Sequence, residues 1–368
     1  MQKVLEHLPK LIRSSLTSDM KSVELLSLTL IRLLKKDHPG ISNEIAKALS
    51  YNDVGASVTR AIGIEPPPSD RDNFMSLAQL NEPPLNPPYI FLNSQVTQLV
   101  QRFIYERNQG EKLLAAGVRP PTSVLLYGPP GVGKTMLADY LSYELSLPLV
   151  TLDLASTISS YLGKTGQNLK KVIDYAKKQP SILLLDEFDA VAKRRDDPTD
   201  LGELKRIVNV LLKELENWPT HSVVIAATNH PEILDKAIWR RFDRTIEMGL
   251  PDRNVRENIF NTNLPTDIIA LDKNMYKILS EVTEGLSASD LVQVCERILR
   301  QFILDGDQPI KYIISELRSI HTDGRFNQLF ARSAKEILGK SITQAEIAKL
   351  LGISTSTVNH HLKSKKEE

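Results

Sequence analysis

The chain has 368 residues, 41% hydrophobic and 25% charged, a length and composition that predict two to three domains with a core large enough to fold. Its formal net charge of +1 supplies no global basic field for nucleic acid. The single cysteine, Cys295, excludes an internal disulfide and a cysteine-built zinc site.

In chain order, Met1 to His7 carry no apolar signal-peptide region. No apolar run reaches the roughly twenty residues that cross a bilayer. The expectation is a cytoplasmic protein with no membrane partner. Residues 1–62 read as a helical N-terminal domain. Val4, Leu5, Leu8, Leu11 and Ile12 recur at helical spacing, a second apolar set runs from Val23 to Leu34, and Ile45 and Leu49 follow the break at His38-Pro39-Gly40. No catalytic constellation lies there, and a docking bundle is the reading. Residues 63–94 read as a Pro-rich linker, because Pro66-Pro67-Pro68, Pro83-Pro84 and Pro87-Pro88 favour extended backbone over helix.

Residues 95–250 read as an α/β domain. A helix is predicted from about Ser94 to Ala116, then strands at 123–127, 148–152, 181–185, 222–228 and 244–248, with helices at 135–146, 167–178 and 202–217. Such alternation predicts a parallel sheet covered on both faces, with ligands at the carboxyl ends of its strands. Residues 251–306 read as a small helical domain, with helices at 254–261, 273–283 and 287–304. Cys295 falls there among Leu291, Val294 and Ile298 and reads as a buried structural thiol. Residues 307–338 are a connector without an assigned role, and 339–368 form a distinct tail.

The chemistry concentrates at one loop. Gly128-Pro129-Pro130-Gly131-Val132-Gly133-Lys134-Thr135 fits the pattern G-x-x-x-x-G-K-[ST], between a strand and a helix that continues through Met136. Glycines let backbone N–H groups approach a phosphate, and the helix N-terminus adds positive potential. Gly128 through Met136 are therefore the candidate phosphate-binding residues. Lys134 can reach the β- and γ-phosphates, and Thr135 can offer its hydroxyl to Mg²⁺.

The apolar run Ser181–Leu185 ends in Asp186-Glu187. Asp186 is placed to hold Mg²⁺ through its water shell, and Glu187 to polarise the water that attacks the γ-phosphate. A second apolar run ends at Thr228-Asn229. Asn229 either holds that water or simply forms a turn before Pro231. Arg240 and Arg241 precede the fifth strand. They either stabilise a transferring phosphoryl group or form a solvated basic turn.

These motifs, in this order and spacing, make residues from about 95 to 305 resemble the AAA module of the AAA+ ATPases, in the single-module, bacterial-type form of the AAA subfamily. The resemblance implies a P-loop NTPase sheet with a helical lid and hydrolysis of ATP with Mg²⁺. It makes Asp186-Glu187 the Walker B pair, Asn229 sensor 1, and Arg240 and Arg241 arginine fingers that reach a neighbour's ATP. It therefore implies a homo-oligomeric ring, a hexamer. Gly285–Asp290 is similar to the lid segment beside adenine and ribose. The usual glycine-containing segment ahead of the helix at 94 is missing, so the residues that touch adenine stay unassigned. Ser160-Tyr161-Leu162-Gly163-Lys164 is similar to the family's first pore loop, with Tyr161 and Leu162 gripping a polypeptide substrate. Lys193–Asp197 is either a second, charged pore loop or a solvated charge run. The implied function is protein remodelling or unfolding, and proteins of this appearance can work beside a separate protease partner; the chain itself shows no H-E-x-x-H or G-x-S-x-G.

Gln344–Leu362 resembles a helix-turn-helix. Ala348 sits at the helix crossing, Gly352 at the left-handed turn, and Ser354 at the cap of the second helix. Ile347, Leu351, Ile353, Val358 and Leu362 form the expected small core, although His361 takes a position that is usually apolar. Thr355, Ser356, Asn359 and His360 would face DNA, with Lys363, Lys365 and Lys366 near phosphates, making 344–366 the candidate DNA contact. The alternatives are a DNA-associated regulator and a tail that docks protein only.

Overall fold

The computed structural model describes residues 7–13, 26, 29–30, 33–34, 38, 40–42, 44, 67–68, 77–160, 165–190, 211, 213–216, 218–269, 271–306, 308–321 and 325–364. The chain divides into two compact units, Met1–Pro66 and Pro67–Glu368. In the first, residues 7–13 are helical, and Leu30 and Leu34 of the second apolar set are buried. The helix expected around Ile45 and Leu49 lies outside the described residues.

The second unit holds a six-stranded sheet in the order β1-β3-β4-β5-β2-β6. The strands are β1 Gln79–Asn81, β2 Ser123–Tyr127, β3 Leu149–Asp153, β4 Ile182–Asp186, β5 Val223–Thr228 and β6 Arg244–Glu247. The neighbouring helices are α1 Ser94–Asn108, α2 Gly110–Ala115, α3 Lys134–Leu145, α4 Leu154–Ser160, α5 Thr165–Lys178 and α6 Lys236–Trp239. Strands β2 to β6 pair in parallel, with Leu125 opposite Ala226 on one side and Thr245 on the other. Side chains alternate across each strand. Leu125, Leu183 and Leu185 pack with Leu169, Val172 and Ile173 of α5. Val124, Leu126 and Leu184 pack on the other face, with Val100 and Phe103 of α1 and Leu137 and Leu141 of α3. Cover on both faces is why these strands are apolar throughout.

The segment expected to be a linker does more than connect. β1 pairs antiparallel with β3, Leu80 opposite Val150, and Leu77 and Ala78 are buried. Three residues are too few for a strand pattern to stand out, and prolines after an edge strand break no ladder.

The rest of the unit is helical: α7 Arg253–Asn263, α8 Lys273–Val282, α9 Ala288–Asp305, α10 Pro309–Ile320, α11 Phe326–Leu338, α12 Gln344–Leu351 and α13 Thr355–Lys363. Residues 307–338, without a role in the sequence reading, supply α10 and α11. One hydrophobic core runs from Val255 through Tyr276, Cys295, Leu317 and Phe330 to Leu351 and Val358. The Tyr276 hydroxyl is satisfied inside it by donating to the Leu264 carbonyl at 2.7 Å. Two arginines fasten the end of the chain. Arg318 donates to the Leu351 carbonyl at 2.7 Å, and Arg332 donates to the carbonyls of His361 and Ser364.

Helix α12 opens with a capping box between Thr343 and Glu346 and closes on Gly352 at φ +65°. Ser354 then caps α13 through the Thr357 amide. On α13, Thr355, Ser356, His360 and Lys363 are exposed, Asn359 is half-buried, and Val358 is fully buried. His361 is half-buried, and burial beside His360 and Arg332 lowers its pKa. Lys365 and Lys366 lie outside the described residues.

Candidate active site

The loop Gly128–Thr135 joins the carboxyl end of β2 to the start of α3. Gly128, Gly131 and Gly133 have φ of +146°, +76° and +96°, conformations that side-chain-bearing residues avoid. At Gly128 there is also no room: an added Cβ would lie 2.0 Å from the Met248 carbonyl oxygen. Pro129 and Pro130 are exposed and Val132 is buried on the sheet. Met136 is exposed on the first turn of α3.

Lys134 is buried, and its ammonium donates to the carbonyls of Gly128 at 2.7 Å and Pro129 at 2.8 Å. Burial lowers its pKa, while Asp186 and Asp189 nearby oppose that shift. The Thr135 hydroxyl donates to Asp186 at 3.0 Å, so the last loop residue and the tip of β4 meet directly. Glu187, one residue on, is exposed and has φ +51°. Its amide donates to the Asp186 carboxylate at 2.9 Å, and the next amide, of Phe188, donates to Ala227 at 2.8 Å.

Asp189 is a residue the sequence reading passed over. It is 5% exposed, and its carboxylate accepts from the Thr228 hydroxyl at 3.1 Å and the Asn229 amide at 3.4 Å. It thereby ties the turn after β4 to the end of β5, which puts Asn229 beside the Asp186-Glu187 pair. The apolar-run-then-acid signal stopped at the first two carboxylates. The third could have been found only by asking what pairs a polar residue facing back into the sheet.

Arg240 and Arg241 lie elsewhere. Arg241 ion-pairs with Glu216. Asp243, two residues on, accepts from the amides of Thr122 at 2.7 Å and Ser123 at 3.0 Å, at the amino end of β2. Five residues of β2 separate that end from the phosphate loop, roughly 16 Å of extended chain. The arginines are not brought to the loop of their own chain. Tyr161, Leu162 and the charge run 193–197 lie outside the described residues; α4 ends at Ser160, just ahead of the tyrosine.

A family model described as "ATPase family associated with various cellular activities (AAA)" matches residues 124–250. An uncharacterised AAA family ATPase of Sinorhizobium fredii is 34% identical over 230 residues, 62% of this chain and 69% of that protein. A proteasome-activating nucleotidase of Saccharolobus solfataricus is 34% identical over 278 residues, 73% of this chain and 67% of that protein. This chain belongs to the AAA ATPase family. A second family model, described as "Winged helix-turn-helix DNA-binding", matches residues 340–364.

As an AAA ATPase the chain is an ATP-hydrolysing enzyme, and the residues at the loop suit a nucleotide. A Cβ added at Gly133 meets no protein atom within 4 Å, so a phosphate can approach that backbone. The donor set also suits a hard divalent cation, with one hydroxyl and one carboxylate converging from two elements. Helix α9 touches the loop directly. The Ser289 amide donates to the Gly131 carbonyl at 3.0 Å, and a capping box between Ser287 and Asp290 fixes that end of the helix. Among the described residues, no helix is long and apolar enough to cross a membrane.

Proposed function

We propose that this ATPase works as a homo-oligomeric ring, a hexamer, which remodels or unfolds protein by threading polypeptide past Tyr161 and Leu162. The observation that carries the ring is the position of Arg240 and Arg241 across the sheet from their own phosphate loop. A guanidinium there can serve a phosphoryl group only in a neighbouring copy. The similarity to proteasome-activating nucleotidases supports a protein substrate and a separate protease partner.

In this reading, Lys134 exchanges two carbonyl oxygens for the β- and γ-phosphates. Thr135 and, through the water shell, Asp186 would hold Mg²⁺, which would neutralise phosphate charge. Glu187 polarises the attacking water, Asn229 orients it, and Asp189 positions Asn229. Tyr161→Ala tests the threading. Substrate processing should be lost, with ATP binding retained; processing that survives the change removes the pore role.

A second reading, a DNA-associated ATPase or regulator, is favoured by the helix-turn-helix match and by the exposed Thr355, Ser356 and His360 on α13. Titration of duplex DNA across salt concentrations tests it, because a phosphate-contacting protein weakens steeply as salt rises.

A further inference from the structure

Beside the helix-turn-helix lies a groove of about 480 Å³ between α10 and α12. Lys311, Ser315, Arg318 and Ser319 line it from one face of α10, and Lys349 and Gly352 line it from α12 and its turn. Three cations converge there, and no carboxylate lines it among the described residues. Glu316, the acidic residue of that stretch of α10, is turned to Arg297 at 2.8 Å and Gln301 at 2.9 Å. Arg318 uses Nη2 for both of its bonds, to Leu351 and to Asn327. Its Nε and Nη1 have no partner among the described residues.

We propose that duplex DNA runs its phosphate backbone through this groove, so that Lys311, Arg318 and Lys349 form a binding surface continuous with α13. The proposal rests on the DNA reading above and extends it to Lys311 and Arg318, outside the matched residues 340–364. Continuity is what selects the occupant. The groove reaches Gly352, and α13 begins three residues later at Thr355. In helix-turn-helix docking, the N-terminal residues of the second helix meet base edges while the first helix crosses the backbone. A phosphate strand crossing α12 passes Lys349 and meets the α10 cations next. Residues 307–364 carry eight Lys and Arg against five Asp and Glu, which gives this end of a nearly neutral chain a local positive field.

The test uses the full chain, a fluorescent duplex and a salt series, with ATPase rate and circular dichroism as checks on folding. The double variant Lys311→Ala/Lys349→Ala should weaken binding about equally for unrelated sequences. It should also shrink the slope of log affinity against log salt by about two, one per lysine. Ser356→Ala/His360→Ala is the comparison, expected to act on sequence preference and leave that slope near the unsubstituted value. An unchanged slope in the lysine variant overturns the groove and leaves the DNA reading standing. No binding of the unsubstituted chain to any duplex overturns both, as does capture of an acidic peptide in place of DNA.

Discussion

Glu187 sits in the left-handed region, where a residue with a side chain pays on the order of 1 kcal/mol or more. Two hydrogen bonds, donated by the Glu187 amide to the Asp186 carboxylate and by the Phe188 amide to the Ala227 carbonyl, hold the backbone in that turn. The turn leaves Glu187 exposed at the end of β4. Glu187→Gln should therefore melt near the unsubstituted temperature and bind ATP, with turnover reduced about 100-fold or more. Glu187→Gly should be equally inactive and about 1 kcal/mol more stable, read from denaturant midpoints. A less stable glycine variant would mean that this turn stores no strain. Of the carboxylates here, Asp186 and Glu187 were legible because an apolar strand points at them. Asp189 was not, since its role is a bond to Thr228 and Asn229, 39 and 40 residues away in sequence.

Helix α9 joins two environments. Its capped start rests on the phosphate loop, and its middle carries Cys295 into the helical core. Burial pushes that thiol up to about 12, so the native chain holds almost no thiolate at neutral pH. Reaction with a thiol reagent should then report opening of this core rather than exposure of a surface group. Above pH 9 an unfolded chain loses this proton while the native chain keeps it, so stability should fall as pH rises through that range. Leu351→Ala, in α12, should accelerate Cys295 labelling by roughly thirtyfold or more, the effect of about 2 kcal/mol lost from a shared core. An unchanged labelling rate would show that α9 and α12 open independently. Helices α7, α8 and α9 were readable from periodicity, whereas the stretch that forms α10 and α11 was read only as a connector. Periodicity shows that a face is covered and never by what, which is why α10 and α11 had no role until their neighbours were known.

At the scale of the molecule, the sheet was the most legible part. Continuous apolar strands, a glycine turn and two polar strand tips have few arrangements open to them. The arginines were legible as residues only; the amino end of β2 where they lie comes from the sheet register. Mixing Lys134→Ala subunits with Arg241→Ala subunits should restore some ATP turnover, because one supplies the guanidinium and the other the loop. Failure to complement, or turnover by a dilute unsubstituted monomer, would mean that each copy completes its own site.

The continuous packing of α7 through α13 also decides how the tail can be studied. Ile347, Leu351 and Val358 are each at most 2% exposed against the helices that precede them, and withdrawing three such side chains forfeits several kcal/mol. That approaches the whole margin by which a domain of this kind stays folded. Deleting everything after 339 should thus cripple ATP hydrolysis, and heat the chain cannot survive should come many degrees sooner. A truncation of that sort would masquerade as proof that the last helices command the motor, when it had only stripped the wall from the room beside it.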